Sequence, residues 1–306
     1  MTILNERTLP PASLVICSRN RPKLLLEAIE SILEGEDIPK ELIVVDQSDV
    51  PQPTLATLVT DRPCEIRYVR PQNIGVSRAR NAGAAVAQTE ILAFTDDDVV
   101  VTHTWFGALI RGLLAAPPRT VITGRVLEST KETSGAFAPS ISKNEIPKLY
   151  SGRINADVLY SGNMALCRST VHEIGGFDEQ LGPGTPFPAG EDNDLGYRIL
   201  EAGYRIFYEP RAVLYHRAWR GQSDYRALLW RYGVGQGAFY AKHFSLRDRH
   251  MLRRLCRDIL HTARLLPYEI SRQPRRASGE IAFVVGLIVG AAHWLFAQRK
   301  LYCCGS

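Results

Sequence analysis

An apolar run, Ile91-Leu92-Ala93-Phe94, leads through Thr95 into three adjacent carboxylates, Asp96, Asp97 and Asp98. The run reads as a buried strand. Three unbalanced anions at its end would repel one another and lose hydration, at a cost only a cation or strong donors can offset. A hard divalent metal is the natural balancing charge, and such a metal usually completes its oxygen shell with phosphate. The cluster therefore points to a phosphate-bearing ligand held by metal where a sheet ends. An acidic turn open to water is the plain alternative.

The surrounding pattern narrows the fold. SLVIC (13–17) is a short apolar strand broken by SRNRP, and Pro22 opens a helix with Leu25, Ala28, Ile29, Ile32 and Leu33 on one face. ELIVVDQSD is a second apolar run, EIRYVR alternates in period two, and NIGVSRARNAGAAVAQ reads as a turn before an Ala-rich helix. This βαβα order predicts an α/β domain with a mostly parallel sheet and helices on both faces. Ligands of such sheets gather at the carboxyl ends of the strands, where Ser18–Arg21, Asp46–Ser48 and Asp96–Asp98 all fall. Residues 129–156 lack periodicity and are expected to form a long loop. A strand resumes near Gly162, a helix covers 192–202 up to Gly203, and YRIFYEP and AVLYH read as two final short strands.

Six cysteines without zinc-finger spacing, in a chain of 306 residues that is 45% hydrophobic, favour reduced thiols in a cytoplasmic setting. The N-terminal residues carry no secretory signal pattern. Charge is uneven. From His216 onward there are 16 Lys and Arg against 5 Asp and Glu, and before it 21 against 27. A basic tail meets something anionic, either lipid or nucleic acid. Within it, residues 252–266 form a basic amphipathic helix with Leu252, Leu255, Cys256, Ile259, Leu260, Ala263 and Leu266 in one stripe. Residues 281–297 are apolar but would span only roughly 25 Å, short of the roughly 30 Å hydrocarbon core. A helix in the membrane interface is expected; the alternative is a helix packed on protein through Gly286 and Gly290.

Taken together, SRNRP, VVDQSD, NIGVSRARNAG, FTDDDV, GGFDE and GEDNDLGYR, in that order over residues 12–217, resemble the family 2 glycosyltransferases of GT-A fold. RYGVGQGAFYAKH in the tail is similar to bacterial members. The resemblance implies a GT-A catalytic domain over 10–217, with a nucleotide-sugar half over about 10–125 and an acceptor half over about 126–217. A basic helical, membrane-associating extension follows over 218–306. It implies that Ser18, Arg21, Asp46, Arg78, Arg80, Asp96 and Asp97 line the nucleotide-sugar pocket. Asp98 and His216 would hold Mn²⁺ or Mg²⁺, Asp192 would act as general base with Glu191 in support, and Gly162, Asn163 and Trp219 would face the acceptor. Without the resemblance, His216 reads as a surface histidine, Glu191 and Asp192 as ordinary acids at a helix N-terminus, and Arg78 and Arg80 as a solvated helix face.

The implied enzyme transfers a sugar with inversion from a nucleoside-diphosphate donor, of UDP or dTDP type, to a glycan or lipid-linked acceptor. It would work as a peripheral or monotopic protein at the inner face of the plasma membrane, against anionic lipid. The oligomeric state stays open between monomer and homodimer. Cys17 departs from the family, which usually has proline there, and Cys303 and Cys304 have no counterpart. A sugar-phosphate nucleotidyltransferase would need a glycine-rich lysine loop after the first strand, and SRNRPK is not one. A nucleic-acid-binding tail would need an aromatic or helix-turn-helix signature that the tail lacks, so no nucleic acid is expected.

Overall fold

The apolar runs of the N-terminal half lie side by side, as their composition requires. In the computed structural model, which describes residues 9–51, 61–129, 140–217, 221, 224–244 and 249–303, they are β1 (Ala12–Ser18), β2 (Glu41–Asp46), β3 (Glu65–Val69) and β4 (Ile91–Asp96). Helices α1 (Pro22–Leu33) and α2 (Val76–Val86) connect them. All pair in parallel, in the order β3-β2-β1-β4. The edge strand β3 is half-exposed, which accounts for its period-two alternation. Side chains of β1 and β2 alternate between two cores. Leu14, Ile16, Leu42 and Val44 pack with α1 and with α3 (Trp105–Ala115), while Val15, Cys17, Ile43 and Val45 pack beneath α2. Both faces are therefore covered.

The remainder of the sheet corrects the expectation of a mostly parallel one. A turn at Asp97-Asp98 leads into β5 (Val99–Val101), and β6 (Thr120–Glu128), β7 (Lys148–Ser151), β8 (Asn163–Cys167) and β9 (Arg205–His216) complete it. β8 runs antiparallel to both β4 and β6, β5 and β7 run antiparallel to β9, and only β6–β9 is parallel. Parallel pairing needs a crossover of a dozen or more residues; the two-residue turn between β4 and β5 leaves no room for one, and β5 pairs with distant β9. The predicted loop over 129–156 contains β7. The two strands expected at YRIFYEP and AVLYH form one strand. Its register with β6 jumps from Glu209 to Val213, where Pro210 has no N–H for the ladder.

Two helices, α4 (Arg168–Ile174) and α5 (Glu191–Glu201), lie between β8 and β9 in sequence, and α6 (Tyr225–Lys242), α7 (His250–Arg272) and α8 (Pro274–Cys303) end the chain. The molecule divides into two units. The first holds the sheet, through Phe177 and again over Leu195–Trp219. The second holds Asp178–Asp194 with the C-terminal helices. The acidic pair Glu191-Asp192 thus groups with the C-terminal helices, although the sequence assigned it to a single catalytic domain ending at 217.

Glycines mark close packing within each unit. In the first, a Cβ at Gly83 would lie 2.4 Å from Val15 Cγ1 and 3.1 Å from Val45 Cγ2, so α2 rests directly on β1 and β2. Gly83→Val is expected to destabilise the protein by about 1–3 kcal/mol. A lowered urea midpoint checks this; an unchanged midpoint would mean that α2 lifts from the sheet without cost. In the second unit, α6 and α8 touch backbone to backbone: a Cβ at Gly237 would lie 2.1 Å from the Leu287 carbonyl, and one at Gly290 2.0 Å from that of Val234. Gly286 and Gly290 therefore seat α8 on α6.

Candidate active site

Strand register assembles the site. Ser18 is opposite Asp46 across β1–β2, and Cys17 is opposite Asp96 across β1–β4, so the three polar clusters end on neighbouring strands. His216, the last residue of β9, pairs with Val99 just beyond the acidic turn, and the Arg217 N–H donates to the Asp98 carbonyl at 2.7 Å. These ladders bring together residues up to 200 positions apart.

Each carboxylate has its own partners. Asp96 accepts from Arg80 Nη2 at 2.8 Å and from the Tyr160 hydroxyl at 3.1 Å. Arg80 is 3% exposed, and the Phe177 ring lies 5.3 Å from its guanidinium carbon. Asp97 accepts from the Ser18 hydroxyl at 2.7 Å and from Arg21 Nη1 at 3.0 Å. The same Arg21 nitrogen reaches Asp98 Oδ2 at 2.9 Å, while Asp98 Oδ1 lies 3.4 Å from His216 Nε2. Two arginines thus supply much of the balancing charge that the sequence assigned to a metal. Burial, and then the neighbouring Asp98 charge, raise the Asp97 carboxyl to about 6, with Arg21 and Ser18 pulling the other way. Burial also lifts the Cys17 thiol to about 12, so this residue beside the site is an inert apolar filler.

The metal pair fits as far as the protein supplies it. Asp98 Oδ1 and His216 Nε2 are both buried and at a spacing that two atoms of one coordination shell can have. A carboxylate with an imidazole suits Mn²⁺ better than Mg²⁺. Among the described residues no group of three His, Cys, Asp or Glu side chains could hold a metal, so other ligands would have to come from donor oxygens and water.

The other expected residues differ in their surroundings. Asp46 is buried, accepting from the Tyr68 hydroxyl at 2.5 Å and the Ser48 N–H at 2.8 Å, so it closes the turn after β2. Arg78 is half-buried and donates to the Ile74 carbonyl at 2.8 Å, just before α2 starts. Gly162 lies against the cluster, since a Cβ there would come within 2.1 Å of Asp96 Oδ2. Asn163 is a correction: it is fully buried, accepts from Trp105 Nε1 at 2.8 Å and donates to the Arg125 and Ala212 carbonyls at 3.0 Å each. Its amide holds three elements of the first unit and does not face an acceptor. Glu191 and Asp192 form the half-buried first turn of α5. Trp219 and Cys304 lie outside the described residues, as does the Cys303 side chain.

Sequence reasoning missed Tyr160 and Gln47. Gln47 donates to the Asn73 carbonyl at 2.7 Å and accepts from the Gly75 N–H at 3.1 Å, fixing the turn that starts α2. The only signal was their place beside Gly162 and Asp46. Asn81, within NIGVSRARNAG, brackets Phe177 of GGFDE by bonding both its N–H and its carbonyl.

Comparisons with known proteins bear on the family and the fold. The model of "Glycosyl transferase family 2" matches residues 13–175. A pre-mycofactocin glycosyltransferase of Mycobacterium tuberculosis is 32% identical over 187 residues, covering 58% of this chain and 36% of the relative, so the chain spans about a third of that protein's length. Among solved structures, the mannosyltransferase PcManGT from Pyrobaculum calidifontis in complex with GDP-Man and Mn²⁺ superposes with a TM-score of 0.61. It shares 16% identity and covers 93% of this chain and 88% of that one. GalNAc-T7 with UDP, GalNAc and Mn²⁺ has a TM-score of 0.55 at 18% identity, covering 68% and 43%. The order of strands, the acidic turn and the matched residues lead to one assignment: the chain belongs to glycosyl transferase family 2 and has the GT-A fold.

Proposed function

We propose that the chain is an inverting, metal-dependent glycosyltransferase that moves a sugar from a nucleoside-diphosphate donor to a hydroxyl of a glycan or lipid-linked acceptor. The observation that carries this reading is the Asp96–Asp98 turn at the carboxyl ends of parallel strands, with Arg21, Arg80, Ser18 and His216 converging on it. GDP-Man with Mn²⁺ in one protein of the same fold, and UDP with GalNAc and Mn²⁺ in another, support a nucleotide sugar and a divalent ion here. Asp98 and His216 would hold Mn²⁺, or less readily Mg²⁺, whose chemistry is to neutralise charge on the departing diphosphate. Arg80 and Arg21 add fixed positive charge there, and a guanidinium can fork onto phosphate oxygens. Asp46 would accept from the imide N–H of uracil or thymine, using a lone pair that Tyr68 and Ser48 leave.

Asp192 takes the acceptor's hydroxyl proton, with Glu191 in support, as that oxygen bonds to the anomeric carbon and the bond to the diphosphate breaks. Attack opposite the leaving group inverts the anomeric centre. A donor screen tests the reading: UDP-, dTDP- and GDP-sugars with Mn²⁺ or Mg²⁺ and a membrane lipid extract, scored by mass spectrometry of released nucleoside diphosphate. Release from at least one donor, abolished by chelator, is expected; no release and no calorimetric binding of any donor would overturn it.

The proposed location is the inner face of the plasma membrane, in monotopic form. Two features support it. α7 buries Met251, Arg254 and Thr262, while Leu252, Cys256 and Leu260 of its apolar stripe are exposed. α8 is long and apolar enough to cross a membrane, contrary to the shorter span read from the sequence, and most of its apolar stretch is not buried in the protein. Ile281, Val285, Ile288 and Phe296 are exposed along it. Lys and Arg near an anionic leaflet contribute about 1 kcal/mol each. Binding to phosphatidylglycerol vesicles is expected to fall with rising salt and to weaken about tenfold in the Leu260→Ser, Ile288→Ser double variant. Equal binding to neutral vesicles, or tighter binding to duplex DNA, would remove the assignment.

A further inference from the structure

RYGVGQGAFYAKH, which spans the latter part of α6 and the residue after it, has no part in the chemistry above, yet four of its residues, Gly235, Gln236, Lys242 and His243, grip the turn that carries the acidic pair. Gly190 has φ +90, and a Cβ on it would lie 2.8 Å from the Gly235 carbonyl; a Cβ on Gly235 would lie 2.3 Å from the Ala189 carbonyl. Asn193 Nδ2 donates to Gln236 Oε1 at 2.5 Å, Gln236 Nε2 donates to the Tyr240 hydroxyl at 2.8 Å, and Tyr240 donates in turn to Asp258 of α7. Asp194 is 0% exposed. It receives Lys242 Nζ and His243 Nε2, each at 2.7 Å, and Lys242 also reaches Asp178 Oδ2 at 2.5 Å. Residues on both sides of Asp192 are therefore fastened to one helix, whose Gly233 and Gly237 seat α8.

We propose that Gln236, Lys242 and His243 are positioning residues that hold the first turn of α5, and with it Glu191 and Asp192, in one orientation. This rests on the reading of Asp192 as general base. Two physical points favour it over a purely structural role. A buried ion pair often contributes little net stability compared with an apolar contact of similar size, and its best-attested use is to fix register. Glu191, Asp192 and Asp194 also crowd like charge into one helical turn, and the Lys242 ammonium offsets it at Asp194. A base must be held closely, because a misplacement of about 1 Å can cost 10²-fold in rate.

The test uses the full chain and five variants: Lys242→Met, His243→Ala, their conservative counterparts Lys242→Arg and His243→Asn, and Asp192→Asn. Hydrogen–deuterium exchange of peptides covering 188–197 reads the clamp without any substrate. Exchange there is expected to rise at least tenfold in Lys242→Met and His243→Ala, and to stay unchanged in peptides covering 12–18 and 91–98. Nucleoside diphosphate release from UDP-glucose, UDP-N-acetylglucosamine and GDP-mannose, divided by sites counted from UDP or GDP binding with Mn²⁺, should fall 10- to 100-fold. Donor KM should stay within twofold, and the conservative variants should recover to within threefold of the parent. Unchanged exchange at 188–197, unchanged release per site, or exchange raised throughout the chain would overturn the proposal. Asp192→Asn separates the two readings. Full turnover in that variant removes the base assignment, whereas loss there with full turnover in Lys242→Met and His243→Ala removes only the positioning role.

Discussion

Asp192→Asn is expected to bind nucleotide as the parent does and to lose sugar transfer by about 10²–10⁴-fold, the usual contribution of a general base. Asparagine keeps the size of the side chain and one accepting oxygen, replaces the other with a donating amide, and cannot take a proton. Folding should be little affected, because acids in the first turn of a helix contribute only a few tenths to about 1 kcal/mol through the dipole. Three measurements check the prediction together: nucleotide affinity by calorimetry, turnover by nucleoside diphosphate release, and the melting temperature. Near-normal turnover would take the role away from Asp192 and leave the acidic pair as an ordinary helix start. Glu191→Gln is expected to be milder, since Glu191 is assigned only support.

Arg80→Met should act on stability and binding at once. Arg80 is buried and its partner Asp96 is only one-fifth exposed. Removing one member of a buried pair leaves an uncompensated charge, at a cost of about 3–5 kcal/mol. The partial exposure of Asp96 and its bond from Tyr160 place this case near the lower figure, about 3 kcal/mol. Adding Asp96→Asn should restore much of that stability, because no charge is then stranded, while nucleotide binding stays lost. Urea unfolding of the two single variants and the double variant forms a thermodynamic cycle. If the losses simply add, Arg80 and Asp96 are not coupled, and the picture of Arg80 as the counter-charge of the acidic turn fails.

The contrast between Arg80 and Arg78 shows where sequence reading stops. Both stand at the start of the same helix, two residues apart, and a residue count assigns them alike. Two residues on a helix differ by more than half a turn, so one faces inward to Asp96 and the other outward to the Ile74 carbonyl. Which of them faces inward depends on how α2 lies on β1 and β2, which Gly83 sets through contacts with residues far away in sequence. Asn163 tells the same story. It stands next to Gly162, which closes the turn before β8 and abuts Asp96, but as the first residue of β8 it bonds Trp105 and the Arg125 and Ala212 carbonyls in the core.

What the amino-acid order determined by itself was local: which runs are apolar enough to be strands, where proline and glycine stop them, and that three of the parallel strands, β1, β2 and β4, end in polar clusters. Those are properties of a few neighbouring residues, so they can be read before any fold is known. Tertiary structure alone decided the antiparallel insertion of β8, the bulge that makes β9 one strand, and the two arginines as counter-ions of the acidic turn. It also grouped Asp178–Asp194 with the C-terminal helices. Each of these depends on pairing between segments tens to hundreds of residues apart. Hydrogen bonds and burial select among such pairings only when the whole chain is packed, and a linear pattern does not encode that choice locally.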